Sequence, residues 1–216
     1  KTSYIDLYIL HRDDPGVPVG PIVEALNEQM QAGRIRAFGG SNWTHTRIQE
    51  ANDYATAHGL TPFVASSPHF SLAEQLCEPW DNCVTITGQA VTDARTWYEK
   101  NGMALLAWSS LAGGFLSGQY DRAAIEAYPP DASDIHVRCY RSPDNLERLD
   151  RASRLAREKG VTIPQIALAY VFAQPMNTFA LTAGRNKPEV LDNAAALDIS
   201  LTPGEAAWLD LRQATP

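Results

Sequence analysis

The feature that most constrains this sequence is an alternation between apolar, β-rich runs and amphipathic helical patterns. Most of the β-rich runs are continuously hydrophobic, which is typical of parallel strands covered on both faces. We predict strands at residues 4–11, 35–42, 63–70, 103–110 and 178–183. Because the first strand-helix units recur at intervals of about 30 residues, the order predicts a parallel sheet with right-handed helical crossovers.

The helical patterns between the strands have recognisable ends. Thr44 and Ser142 occupy N-cap positions, and Thr202 and Glu205 have the spacing of a capping box. Glycines that can end a helix follow four of the patterns, at Gly33, Gly59, Gly102 and Gly160. The pattern therefore favours one α/β domain over residues 1–216, as a TIM-type (β/α)8 barrel or a doubly wound sheet.

One connection is longer than the others. Residues 113–141 contain a Gly-rich beginning and the stretch "YPPDAS", without a helical or strand pattern of useful length. We predict a mobile loop over a ligand site, with a surface loop of no function as the alternative.

Composition excludes several classes of function. The net charge of −7 argues against nucleic-acid binding, which requires a basic face. The three cysteines lack the spacing of a metal site, and no apolar run approaches the roughly 20 residues of a membrane span. We therefore expect a cytoplasmic protein with no metal, no membrane contact and ordinary thiols.

Polar and aromatic side chains stand where the predicted strands end. In sheets and barrels of this kind, ligands bind at the carboxyl ends of parallel strands. The candidates at these ends are His11, Ser41, Asn42, Ser67, His69, Trp108, Ser109, Gly184 and Arg185. Such a set could hold an amide, a flat ring and a polyphosphate.

Each main candidate also has a structural explanation. Strand alternation places His11 on the same side as Ile9, so it would either face the mouth of a barrel or serve as a structural histidine. Ser41 and Asn42 could form an N-cap turn, and Trp108 could simply pack in the core.

Three further residues have equally plain explanations. Asn193 lies near an expected helix start and could be a cap. Asp13 and Asp14 lie in a loop, where we expect solvated side chains.

Four segments together resemble the aldo-keto reductase family, over a match that runs from Tyr4 to Leu211. They are "YIDLYILHRDDP", "AGRIRAFGGSN", "AWSSLAGGFLSG" and "AGRNKPEVLDN", in that order. The resemblance implies a TIM (β/α)8-type barrel and NAD(P)H-dependent reduction of aldehydes or ketones, with a small carbonyl compound as substrate.

The resemblance also implies roles for individual residues. His11 would be catalytic, polarising the substrate carbonyl. Ser41 and Asn42 would bind the nicotinamide carboxamide, and Trp108 would stack on the nicotinamide. The remaining contacts would fall on the pyrophosphate and the adenosine, from Ser109, Leu111, Gly113, Gly184, Arg185, Glu189 and Asn193.

Two positions depart from the family pattern. Ser67 stands where the family usually has Gln, so one carboxamide contact would be shortened. Glu189 stands where many members have Arg, and its charge would repel the 2′-phosphate of NADPH. Arg185 favours that phosphate. The expected cofactor is NADPH, with NADH as the alternative.

The resemblance covers the counterparts of barrel strands four to eight. Strands one to three, with the family's catalytic Asp, Tyr and Lys, have no counterpart here, so we expect an incomplete barrel that is inactive alone. Nothing in the sequence positions Tyr120, Tyr128 or Tyr140 as a substitute proton donor. Three alternatives remain: the carboxyl-terminal portion of a reductase, a piece completed by another chain or a second copy, and a cofactor-binding module or sensor without turnover.

Overall fold

The computed structural model describes residues 2–216. In that range five parallel strands form one sheet, in chain order. The strands are β1 (Ile5–Leu10), β2 (Ile35–Ser41), β3 (Ala65–Ser67), β4 (Ala104–Ala107) and β5 (Thr178–Ala180). All five predicted strands are confirmed, although the last three are shorter than predicted.

Helices follow the strands and cover the sheet. They are α1 (Val19–Gln31), α2 (His45–Ala57), α3 (Thr92–Asn101), α4 (Arg122–Glu126), α5 (Ile135–Arg138), α6 (Pro143–Lys159), α7 (Ile163–Phe172), α8 (Lys187–Ala195) and α9 (Pro203–Leu209). Short 3₁₀ turns occur at Gln89–Val91, Ala112–Gly114 and Ala196–Asp198.

The predicted helix ends are confirmed. The Thr44 side chain accepts a hydrogen bond from the backbone N–H of Arg47 at 3.2 Å, and Ser142 caps α6 in the same way. Thr202 and Glu205 form the predicted capping box of α9. Local side-chain chemistry therefore fixes where these helices begin.

The core lies between the sheet and the helices. The Phe38 and Leu105 side chains of the sheet are fully buried, and the Phe63 ring packs edge-on against Phe38 at 5.1 Å. Gly39 allows β2 and β3 to approach, because a Cβ there would lie 2.3 Å from the carbonyl oxygen of Ala65. Close packing of β2 on β3 brings their carboxyl ends together.

Within residues 2–216, β1 and β5 each pair with a strand on one side only. Apolar side chains at these edges are exposed, among them Ile5, Tyr8 and Phe179. A groove of about 580 Å³ between β1 and α1 is lined by Tyr8, Leu10 and Ile22 together with their neighbours. The described part of the chain therefore has two sheet edges with exposed apolar side chains.

Residues 113–141 contain more secondary structure than predicted. They contain α4 and α5, and the side chains of Ile125 and Tyr140 are fully buried. Neither helix was predicted, because each is too short to give a periodic pattern that can be read from sequence. The mobility of this segment stays a prediction.

Candidate functional site

A cavity of about 640 Å³ lies at the carboxyl ends of the first four strands. We call it the strand-end cavity, and its walls are His11, Arg12, Ser41, Asn42, Ser67, Trp80, Cys83, Trp108, Ser109 and Leu181. Six predicted site residues are among them, from His11 to Ser109. Their meeting follows from the parallel register, which aligns Leu10 with Gly40 and Ser41 with Ser67.

Ser41, Asn42 and Ser67 form a buried hydrogen-bonded rim. Ser41 Oγ donates to the Ser67 carbonyl oxygen at 3.0 Å, and Asn42 Nδ2 donates to Ser41 Oγ at 3.0 Å. Ser67 Oγ donates in turn to the Leu106 carbonyl oxygen at 2.8 Å. Since α2 is capped by Thr44, the N-cap explanation for Ser41 and Asn42 is wrong.

Asn42 adopts a left-handed backbone conformation, with φ of 58°, which asparagine tolerates better than most residues. Its Oδ1 accepts a hydrogen bond from the Val84 backbone N–H at 3.1 Å. Amide and hydroxyl oxygens have two lone pairs each, so Asn42 and Ser41 retain acceptor capacity toward a ligand.

Trp108 both lines the strand-end cavity and packs against the interior. Its ring is half-buried, 4.9 Å from the His69 ring and 6.3 Å from the Trp80 ring, measured between centroids. The indole Nε1 is buried and has no hydrogen-bond acceptor among residues 2–216. The core-packing explanation for Trp108 is therefore incomplete.

His69 supports Trp108 from within the protein. Its side chain is fully buried, with Nδ1 2.8 Å from Thr85 Oγ1 and Nε2 3.0 Å from the Tyr140 hydroxyl. Burial lowers the pKa of His69 to about 3, so the ring is neutral near pH 7. Tyr140 is fully buried against His69 and does not line the cavity.

His11 is placed differently. Its side chain is exposed at the wall of the strand-end cavity, and its carbonyl oxygen accepts from Arg12 at 2.9 Å. Its ring nitrogens make no hydrogen bond to any other part of the described chain. Because the side chain is exposed at the cavity wall, its ring nitrogens are accessible to a molecule in the cavity.

A second cavity, of about 620 Å³, lies next to the first. We call it the loop cavity. Its walls are Ser109, Ser110, Leu111, Gly113, Gly114, Ser117, Gly118, Gln119, Pro164, Leu181, Thr182, Ala183, Arg185, Glu189, Asp192 and Asn193. Ser109 and Leu181 line both cavities, so the two are adjacent, and we call them together the cleft.

The strand-to-loop turn at Ser109 and Gly113 shapes this cleft. Both residues have positive φ, 50° and 59°. At Gly113 an added Cβ would also lie 2.8 Å from Ile135, so glycine is needed for the turn and for its packing on α5.

Arg185 and Glu189 pair with each other at the far end of the loop cavity. Arg185 Nη2 lies 2.8 Å from Glu189 Oε1, and the Arg185 backbone N–H donates to Glu189 Oε2 at 2.8 Å. These hydrogen bonds raise the pKa of Arg185 and lower the pKa of Glu189. Both groups are therefore charged near pH 7, and they compensate each other.

Gly184 and Asn193 are the remaining predicted site residues. Gly184 lines neither cavity; it lies beneath α8, where an added Cβ would be 2.5 Å from Val190. Asn193 lines the loop cavity from within α8, whose N-cap is Asn186. The suggestion that Asn193 is a cap is therefore wrong.

Sequence reasoning missed Arg12, Trp80 and Cys83, which also wall the strand-end cavity. Trp80 and Cys83 come from the segment between β3 and α3. The sequence signal that could have indicated them was a Trp within a polar stretch. The expectation of solvated carboxylates is wrong for Asp13, which pairs with Arg47 at 3.2 Å, both side chains being nearly buried. That partner lies on α2 and could not be read from the local sequence.

Two kinds of feature are absent from the described residues. Residues 2–216 contain no group of three His, Cys, Asp or Glu side chains arranged to hold a metal ion. In the same range no helix has the length and apolarity needed to cross a membrane.

Comparison with known proteins gives a consistent result. The model of the family described as "Aldo/keto reductase family" matches residues 1–211. A probable voltage-gated potassium channel subunit beta of Arabidopsis thaliana is 26% identical over 93% of this chain and 59% of its own length. Versiconal hemiacetal acetate reductase of Aspergillus parasiticus is 24% identical over 96% of this chain and 57% of its own length.

A solved structure supports the same fold. The crystal structure of a thermostable aldo-keto reductase in complex with epalrestat superposes with a TM-score of 0.68 at 21% identity. The match covers 98% of this chain and 61% of that one. The chain thus spans somewhat more than half the length of the proteins it resembles.

Proposed function

The chain belongs to the aldo/keto reductase family, and on that premise we propose that its cleft binds one nicotinamide dinucleotide for the reduction of a small aldehyde or ketone. The observation that carries this proposal is the adjacency of the two cavities, which share Ser109 and Leu181. A dinucleotide is long, and its two ends differ chemically. The two cavities also differ in the side chains that line them.

The strand-end cavity suits the nicotinamide. The half-buried ring of Trp108 offers a flat apolar wall, and the free lone pairs of Ser41 and Asn42 can accept from a carboxamide. When bound, the reduced nicotinamide supplies the hydride for carbonyl reduction. Ser67, whose hydroxyl is held by the Leu106 carbonyl, would reach the carboxamide less directly.

The loop cavity suits the phosphates and the adenosine. Ser109 and the backbone from Leu111 to Gly113 border the part nearest Trp108, where the pyrophosphate would lie. Arg185 would approach the 2′-phosphate of NADPH, with Asn193 near the adenine. Gly184 would contribute indirectly, by letting α8 pack closely behind Arg185.

The choice between NADPH and NADH depends on Arg185 and Glu189. Their ion pair compensates the charge of the arginine that would bind a 2′-phosphate. We propose NADPH as the cofactor, with a weaker preference over NADH than an unpaired arginine would give.

His11 would act on the substrate. Its exposed imidazole lies at the wall of the strand-end cavity, directly after the first strand of the sheet. From there an imidazole N–H can donate to a carbonyl oxygen and orient the substrate beside the nicotinamide.

The cofactor-binding module without turnover is the second candidate. The observation that favours it is the placement of Tyr140, which is held inside by His69 and cannot serve as the proton donor in this arrangement. A channel-subunit relative is also compatible with a binding role.

Completion of the barrel is part of the proposal. The exposed edge of β1, with Ile5 and Tyr8 above the groove on α1, suits pairing with further strand-helix units. These units would bring the remaining catalytic groups, on the same polypeptide or on a partner. A second copy of this chain is the alternative occupant.

A fluorescence titration tests the binding proposal. NADPH should quench tryptophan emission in the wild type, and Trp108→Phe should remove most of that quench. Trp97→Phe is the matched control, because Trp97 lies on α3, is bonded to Gln49 and lines neither cavity. Equal quenching in the wild type and in Trp108→Phe would contradict the proposed nicotinamide position.

Turnover is tested separately, by following NADPH oxidation with simple aldehydes. Binding with turnover supports the reductase, and binding without turnover supports the module. Absence of saturable NADPH and NADH binding would overturn both.

A further inference from the structure

Two cysteines distant in sequence meet beside the strand-end cavity. Cys77 Sγ lies 3.1 Å from Cys139 Sγ. Cys77 follows β3 in the segment that leads to Trp80 and Cys83, and Cys139 is the C-cap residue of α5. Their contact joins two separate segments of the fold.

The surroundings hold this pair in place. The Leu76 backbone N–H donates to the Cys139 carbonyl oxygen at 2.9 Å. Arg138 donates to the carbonyl oxygens of Glu78 at 3.3 Å and Pro79 at 3.0 Å. The two segments are therefore fixed to each other by the backbone on both sides of the thiols.

The two thiols differ in environment. Cys77 is half-buried, and the Arg138 guanidinium lies 3.6 Å from its Sγ. Cys139 is fully buried, and burial with the contact to Cys77 raises the pKa of Cys139 to about 12. Cys77 is the thiol placed to react first.

We propose that Cys77 and Cys139 are an oxidation site, at which a peroxide converts the two thiols reversibly into an intramolecular disulfide. The sulfurs need to approach by only about 1 Å to reach the S–S bond length of about 2.05 Å. This inference does not depend on the proposed cofactor.

The chemistry balances in two steps. The Cys77 thiolate attacks hydrogen peroxide, its S–O bond forms, the O–O bond breaks, and the leaving hydroxide takes up a proton to become water. The Cys139 sulfur then attacks the sulfenic sulfur of Cys77. The S–S bond forms, the S–O bond breaks, and the second water leaves with the Cys139 proton. Each sulfur is oxidised by one electron and the peroxide is reduced by two.

The disulfide would affect the strand-end cavity. Trp80 and Cys83 wall that cavity from the segment that begins at Cys77. On the other side, Cys139 precedes Tyr140, which bonds the histidine behind Trp108. A covalent bond between Cys77 and Cys139 ties both walls together.

Peroxide treatment of the full chain tests the proposal. The protein is treated with a small excess of hydrogen peroxide, remaining thiols are alkylated, and the intact mass and peptide map are measured. We expect the loss of two hydrogens, one cross-linked peptide joining Cys77 to Cys139, and full reversal by dithiothreitol. Cys83→Ser, the matched control, should behave like the wild type, and Cys77→Ser should give no cross-link.

The wild-type peptide map alone decides the outcome, so instability of a variant does not prevent a conclusion. A cross-link to Cys83, intermolecular dimers only, or oxygen addition without a cross-link would each overturn the proposal. As a second readout, hydrogen exchange in residues 76–84 should slow in the oxidised chain. Unchanged exchange there would overturn the coupling to the cavity wall.

Discussion

The two cavities of the cleft are built in different ways. The strand-end cavity rests on a buried network in which His69, Tyr140 and Thr85 hold the interior side of Trp108. The loop cavity rests on a turn at Ser109 and Gly113 and on a surface ion pair. Ligand contacts in the strand-end cavity therefore depend on the folded core. Contacts in the loop cavity can change with little effect on the core.

The largest effect should come from breaking the buried network. His69→Leu leaves the buried Tyr140 hydroxyl without its partner and removes one of the hydrogen bonds of Thr85, which keeps Thr87, so we expect a loss of about 3 kcal/mol in the free energy of unfolding. Urea denaturation followed by circular dichroism measures it. His58→Leu, at an exposed position on the C-cap of α2, is the control and should stay close to the wild type. If His69→Leu leaves the free energy of unfolding unchanged, the strand-end cavity does not depend on the buried network.

Acid should weaken the same network. The folded pKa of His69 is about 3, below its ordinary value of 6.5, so the unfolded chain binds a proton that the folded chain excludes. The contribution of the neutral His69 ring to the free energy of unfolding is complete above pH 6.5. It is lost as the pH falls toward 3, at about 1.4 kcal/mol per pH unit at most. Unfolding curves between pH 6.5 and 4 measure this slope.

The His69→Gln variant provides the comparison for that slope, since glutamine keeps hydrogen-bonding capacity without titrating. The variant should lose stability with acid more slowly than the wild type. Parallel curves would mean that carboxylates, and not this histidine, determine the acid sensitivity.

A smaller effect is expected on ligand binding at the wall itself. Trp108→Ala removes the proposed stacking surface, and stacking on an aromatic side chain contributes about 1–3 kcal/mol. We expect the Kd for NADPH to rise roughly tenfold or more by calorimetry. Trp80→Ala, on the exposed side of the same cavity, should change the Kd less. The reverse order would move the nicotinamide to the Trp80 side.

The difference between the cavities also explains what could be predicted from sequence. Strand ends, helix caps and the meeting of His11, Asn42 and Trp108 follow from periodicity and from the family resemblance, because parallel strands align their carboxyl ends. The burial of Asp13 against Arg47 depends on a contact between distant segments, which local sequence does not specify.

A further feature escaped prediction for the same physical reason. Tyr140 is recruited by His69 from 71 residues away, so its burial is a property of the assembled fold. The pairing of Arg185 with Glu189 is a local contact, four residues apart, that forms where α8 begins. The residues that a single strand supplies to the site could be predicted from the sequence. The contacts between side chains of distant segments could not.

The smallest effect should come from the ion pair of the loop cavity. Glu189→Gln frees Arg185 and removes a negative charge from the place where a 2′-phosphate would lie. Because both side chains lie at the surface, we expect an unchanged melting temperature and a few-fold gain in affinity for NADPH over NADH. Arg185→Gln is the matched variant and should shift the ratio of the two Kd values the other way. If neither variant alters that ratio while both still bind NADH, the adenosine end lies outside the loop cavity, and the two cavities do not serve one ligand.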